Sequence, residues 1–149
     1  MYKKAAIFTG IGAAIFFLSF RPGQAPGGTQ RILQTDTAKV ERWLAPAEAD
    51  TIKNPYPFDS ITVAKGAELF ETFCKMCHGD AGYGDGPIGG AMVIKPANFH
   101  KKEIQDQKDG ELFWKMENGR GMMAPYKEVL TVQQRWYLVN FIRELPKEE

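Results

Sequence analysis

A chain of 149 residues has room for one ordinary domain and an extension, not for two full domains. Hydrophobic residues make up 44% and charged residues 25%, which are globular proportions. With 19 Lys+Arg against 18 Asp+Glu, the near-neutral balance excludes a generally basic nucleic-acid binder, whose affinity rests on many phosphate contacts.

Ala5 to Phe20 is uncharged and follows Lys3 and Lys4. As a helix this run spans about 24 Å, short of the roughly 30 Å hydrocarbon core. A secretory signal peptide and an uncleaved anchor both fit. The anchor is favoured because no clean small-x-small site follows: Gly23-Gln24-Ala25 is the nearest, with Pro26 after the cut. In both readings the lysines stay cytoplasmic and the rest is exported. The chain is therefore expected on the periplasmic side of the cell membrane, anchored by its N-terminal helix, or soluble in the periplasm after cleavage.

Arg21 to Gln30 is rich in Pro and Gly and reads as a tether. Thr35 to Leu44 forms a short helical pattern with Val40, Trp43 and Leu44 on its apolar edge, stopped by Pro46. Such a segment either packs on its own domain or docks on a neighbouring subunit with Trp43 as anchor. Asn54-Pro55-Tyr56-Pro57 is a second break. The expected organisation is a signal-anchor at 1–20, a tether and docking segment at 21–57, and one domain at 58–149.

Within that domain three helices are expected. The first runs from Thr62, as N-cap, to about Cys77. The second is Asp109 to Asn118, capped by Asp109 and ended by Gly119. The third is Thr131 to Leu145, opened by the Thr131–Gln134 capping box and stopped by Pro146. Trp136, Leu138, Val139, Phe141, Ile142 and Leu145 give the third helix a broad apolar face. No strand pattern of useful length appears, so the domain reads as all-α. The long Gly/Pro-rich stretch Gly79 to His100 suits a loop that wraps something. A domain this small gains stability from a bound group.

The two cysteines, Cys74 and Cys77, exclude a disulfide framework and a four-cysteine zinc site. They lie in Cys74-Lys75-Met76-Cys77-His78, the C-x-x-C-H signal for attachment of a c-type haem. Thiols three apart on a helix face one side and can form thioethers with the two vinyl groups of one haem. His78 is then the proximal iron ligand. A thioredoxin-like pair would need a βαβ context. A zinc site would need another ligand, for which His100 is available but wrongly spaced.

The opposite face of the iron needs a ligand from a distant segment. Gly119-Arg120-Gly121-Met122-Met123-Ala124-Pro125-Tyr126 offers two methionines outside any helix. Met76, Met92 and Met116 fit ordinary core packing instead. His100 or an open iron are the alternatives.

From about Ser60 to Leu145 the chain resembles the class I cytochromes c. Gly66, Phe70 and Cys74 match the family's glycine, aromatic and first haem cysteine on the first helix, and Leu138 and Phe141 resemble the partner pair on the last. The resemblance implies a small all-α fold, about three main helices round one covalently attached haem c. It selects Met123 over Met122, because the family's axial methionine follows G-x-G-x. It also implies that a loop proline carbonyl, with Pro87 of Gly84-Asp85-Gly86-Pro87 as candidate, accepts a hydrogen bond from the proximal histidine.

The implied site is therefore Cys74, Cys77, His78 and Met123, the last two as iron ligands. The implied activity is one-electron transfer in a respiratory chain, without a catalytic residue. Gly119 to Lys127 and Arg135 to Leu145 are also similar to monohaem subunits of alternative complex III type assemblies. The expected partner is a membrane redox complex, a quinol-oxidising complex or a terminal oxidase. A haem subunit inside such an enzyme and a haem-based gas sensor are the alternatives. From Ser60 onward there are 12 Lys+Arg and 13 Asp+Glu, so the domain offers no strongly basic docking face.

Overall fold

The computed structural model describes residues 42–148. The apolar run, the Pro/Gly-rich tether and residues 35–41 of the expected short helix lie outside them. The part of that helix within the described residues, 42–44, is not helical.

The described chain is all-α, as its patterns imply. It forms α1 (Ser60–Phe73), the single turn α2 (Lys75–His78), the single turn α3 (Lys102–Gln105), α4 (Asp109–Asn118) and α5 (Val132–Glu144). Short 3-10 turns lie at Ala47–Thr51 and Gly89–Ala91. Among the described residues there is no β-strand, and no helix is long and apolar enough to cross a membrane.

Helix starts follow local hydrogen-bond chemistry. Asp59, not Thr62, caps α1: its carboxylate accepts from Thr62 N at 2.8 Å, and Thr62 Oγ1 accepts from Asp59 N at 3.3 Å. Thr62 is thus the far half of a capping box. α4 begins after Lys108, whose N–H donates to the Glu111 carboxylate at 2.8 Å. Asp109 is therefore the first helical residue rather than the cap, a position where an acidic side chain favours the helix dipole. Thr131 and Gln134 cap α5 as expected.

α1 packs on α5 through a seam that admits no side chain at one point. A Cβ on Gly66 would lie 2.1 Å from the Tyr137 carbonyl oxygen and 2.8 Å from Phe141 Cβ. Four residues on, the Phe70 ring lies 4.9 Å from that of Phe141. Leu138 is buried in the same core, together with Phe113, Trp136, Val139 and Ile142. Phe113 stacks on Trp136 at 4.2 Å. Arg135 is buried beside them, its guanidinium over the Phe113 ring and bonded to the carbonyls of Lys127 and Leu130.

Residues 43–59 form a strap across α4 and α5. Ala49 is buried, and a Cβ on Gly110 would meet the Ala49 carbonyl at 2.0 Å. Asn54 donates to Asn140 of α5 at 2.7 Å, and Asn140 donates to Pro57 O and Thr62 Oγ1 at 2.8 and 2.9 Å. Trp43 lies against Trp114 of α4 in the same chain, with ring centroids 6.5 Å apart.

Candidate haem-binding site

α1 ends at Phe73 and the chain turns at once through α2, so Cys74, Cys77 and His78 project from one compact corner. The backbone N–H groups of Cys77 and His78 both bond to Cys74 O, at 3.1 and 2.9 Å. Gly79 then leaves the turn at φ 81, a left-handed value that glycine adopts at no steric cost.

The loop after the motif folds back along it. Gly84 N, Gly86 N and Ile88 N donate to the carbonyls of His78, Cys77 and Met76, at 2.8, 3.2 and 2.9 Å. The approach requires glycine: a Cβ on Gly89 would stand 2.0 Å from Cys77 O.

His78 is held from two sides. Its ring stacks on Phe99 with centroids 4.5 Å apart. Its Nδ1 lies 3.1 Å from Ala97 O. The acceptor is Ala97, not Pro87. The backbone donors flanking Pro87, on Gly86 and Ile88, are bound to the motif's own carbonyls, which ties that turn along α2. The carbonyl that reaches the imidazole comes instead from the residue after Pro96. A bond at Nδ1 assigns the ring proton there and leaves the Nε2 lone pair available to a metal. Burial lowers the proton affinity of His78, and the Ala97 bond offsets this in part.

Burial, with a contribution from Cys77, pushes the Cys74 thiol up to about 12, so it is a neutral thiol at ordinary pH. Cys74 and Cys77 are both free and half-buried. Tyr126 faces them: burial raises its hydroxyl pKa, and the two cysteines raise it further.

Tyr126 belongs to the methionine segment. Arg120 and Met123 form an isolated antiparallel bridge, Arg120 N to Met123 O at 2.9 Å and Met123 N to Arg120 O at 3.1 Å. Gly121 takes φ 59 within the turn. At Gly119 a Cβ would meet Met123 O at 2.4 Å. This tight reversal separates the two methionines. Met122 sits at the tip and is 78% exposed, whereas Met123 is half-buried against the core.

The donor set fits a covalently attached haem. Two free thiols three apart, a neutral imidazole with its far nitrogen engaged, and an inward thioether on a separate loop are the groups such a cofactor takes. They do not build the alternatives. His100 is buried with Nδ1 and Nε2 each 2.7 Å from a backbone carbonyl, of Pro146 and Ala81, so its nitrogens are already committed. Met116 is buried as expected, but Met76 is 49% exposed, since α2 turns it away from the core. Sequence reasoning missed Ala97 and Tyr126. A backbone carbonyl carries no sequence signal, and a tyrosine two residues beyond a methionine pair resembles any loop aromatic.

The cytochrome c family model matches residues 63–146. Among solved structures, the Kuenenia stuttgartiensis reducing HAO-like protein complex Kustc0457/Kustc0458 is similar at TM-score 0.54 and 22% identity, over 64% of this chain and 50% of that one. The KustC0563 c-type cytochrome is 30% identical over 55% of this chain and 98% of that one, with TM-score 0.48. Cytochrome cL of the marine methylotrophic bacterium Methylophaga aminisulfidivorans MPT is 24% identical over 59% and 55%, also at 0.48. No curated protein matches the chain. The chain thus spans about half the length of the first of these solved chains. Fold and motif together define a small all-α protein with covalently bound haem c. The chain belongs to the cytochrome c family.

Proposed function

We propose that this chain is a monohaem cytochrome that passes single electrons in a respiratory chain on the exported side of a membrane. In this reading Cys74 and Cys77 carry the thioether bonds, His78 Nε2 is the proximal ligand and Met123 the distal one. Bound haem supplies the one-electron Fe(III)/Fe(II) couple. The work of the chain is to keep both ligands in place. The Ala97 carbonyl and the Phe99 ring fix the imidazole. The Arg120–Met123 bridge fixes the thioether loop.

The observation that carries the reading is the engaged Nδ1 of His78 directly beside two free thiols. Residues 1–20 are assigned as a membrane anchor and 21–57 as the segment that joins it to the redox domain at 58–149, with residues 43–57 packed on that domain as a strap. The partner is a membrane redox complex, a quinol-oxidising complex or a terminal oxidase. The alternative complex III type is the narrower reading supported by the sequence likeness of the Gly119–Lys127 and Arg135–Leu145 segments.

Two experiments test this. Cys77→Ala should weaken or abolish the haem-staining band on a denaturing gel, and an unchanged band would refute the attachment. Purification from native membranes should recover the chain with residues 1–20 intact and with redox subunits. A mature start near Ala25 and a soluble, unaccompanied chain would refute the anchored reading.

A further inference from the structure

Trp43 precedes the residues 63–146 that match the family, yet it reaches the turn that carries Met123. Two cations lie over its half-buried ring: Lys115 Nζ at 5.8 Å and Arg120 Cζ at 5.6 Å from the centroid. Arg120 is the residue whose backbone N–H and carbonyl pair with Met123. Trp43 is itself braced by Trp114 of α4, and the strap behind it is pinned where Ala49 meets Gly110. A continuous set of contacts therefore runs from α4 through Trp43 and Arg120 to Met123.

We propose that Trp43 is a positioning residue for the Met123 turn, holding it closed through Arg120. The proposal rests on the assignment of Met123 as the distal ligand. Gly119 and Gly121 let the turn fold but also leave it many alternative backbone states. A guanidinium held over an indole ring restricts those states, and Arg suits that contact better than Lys. Lys115 shares the ring, but its ammonium bonds to the Gln107 side chain. The two cations can therefore be separated by mutation.

The test uses the full-length ferric holoprotein with imidazole as probe, since imidazole binds iron when the methionine leaves. Trp43→Ala should raise the imidazole binding rate about two- to fivefold, the effect of losing a cation–π contact at a partly exposed site. Trp43→Phe should recover part of the loss. Arg120→Gln should act like Trp43→Ala, and the double variant should add little to either. Lys115→Gln should leave the rate unchanged. Asn54→Ala, which removes the strap's bond to Asn140, should lower the melting temperature without the rate change. An unchanged rate in Trp43→Ala, additive effects of Trp43→Ala and Arg120→Gln, or an equal rate rise in Asn54→Ala would overturn the proposal. The ligand assignment fails by a separate sign, a wild type without the near-infrared sulfur-to-iron band, and that result removes the proposal with it.

Discussion

The Tyr126 hydroxyl donates a hydrogen bond to the Phe73 carbonyl at 2.9 Å, joining segments 53 residues apart. Phe73 ends α1 just before Cys74, and Tyr126 follows the methionine turn, so this bond links the C-x-x-C-H corner to that turn. The rings also meet edge-on with centroids 6.3 Å apart. On the other side, Tyr126 N donates to Met116 O at 2.9 Å. Tyr126→Phe keeps the ring contact and the backbone bond but removes the link. It should cost about 0.5–1.5 kcal/mol in denaturant unfolding of the holoprotein, the net worth of one hydrogen bond. An unchanged midpoint would mean the link contributes nothing.

Gly66 lies where α1 and α5 approach most closely. Gly66→Ala forces a methyl into the Tyr137 carbonyl and Phe141 Cβ, so the helices must separate. We expect a loss of about 1–3 kcal/mol or more, as for other overpacked cores. Gly90→Ala is the control, because a Cβ there meets nothing within 4 Å. That change should stay within about 0.5 kcal/mol. Thermal melts of both variants decide the matter.

The opposite exposures of the methionine pair predict opposite spectra. Met123→Leu should abolish the near-infrared sulfur-to-iron band of the ferric protein and lower its potential, since methionine raises the potential of a histidine-ligated haem. Met122→Leu should preserve both. The reverse outcome would assign the ligand to Met122.

Asp59 gives the acid limb of stability a testable sign. Its carboxyl is held below the ordinary 3.8 chiefly by the Thr62 N–H; burial opposes this, and the Thr62 hydroxyl, the Ile61 N–H and Lys65 add smaller lowering effects. A depressed folded pKa contributes stability above the unfolded value that is lost as pH falls through the folded one. Asp59→Asn retains a capping side chain but not the ionised one. The wild type should therefore melt higher than Asp59→Asn near neutral pH, and the gap should close below about pH 4. A gap independent of pH would mean that ionisation plays no part in the cap.

The elements with local causes were legible in the sequence. α5 begins where Thr131 and Gln134 satisfy each other's backbone donors and stops before Pro146, and α4 ends at Gly119. Cys74, Cys77 and His78 are legible because the chemistry they serve needs a fixed spacing along one turn. The match of Gly66 and Phe70 to a helix seam was likewise visible, since one helical turn separates them.

What required the tertiary structure was every choice between equivalents. Asp59 and Thr62 are both capping residues, and only the backbone path makes Asp59 the cap. Pro87 and Ala97 both supply a carbonyl, and only the folded loop, with the donors around Pro87 spent on α2, brings the Ala97 oxygen to His78. Trp43 could have served another subunit or its own, and its ring lies against α4 of the same chain. Sequence specifies chemistry that acts between near neighbours. Long-range contacts depend on where loops and straps return, and nothing in a residue's type or spacing records that distance.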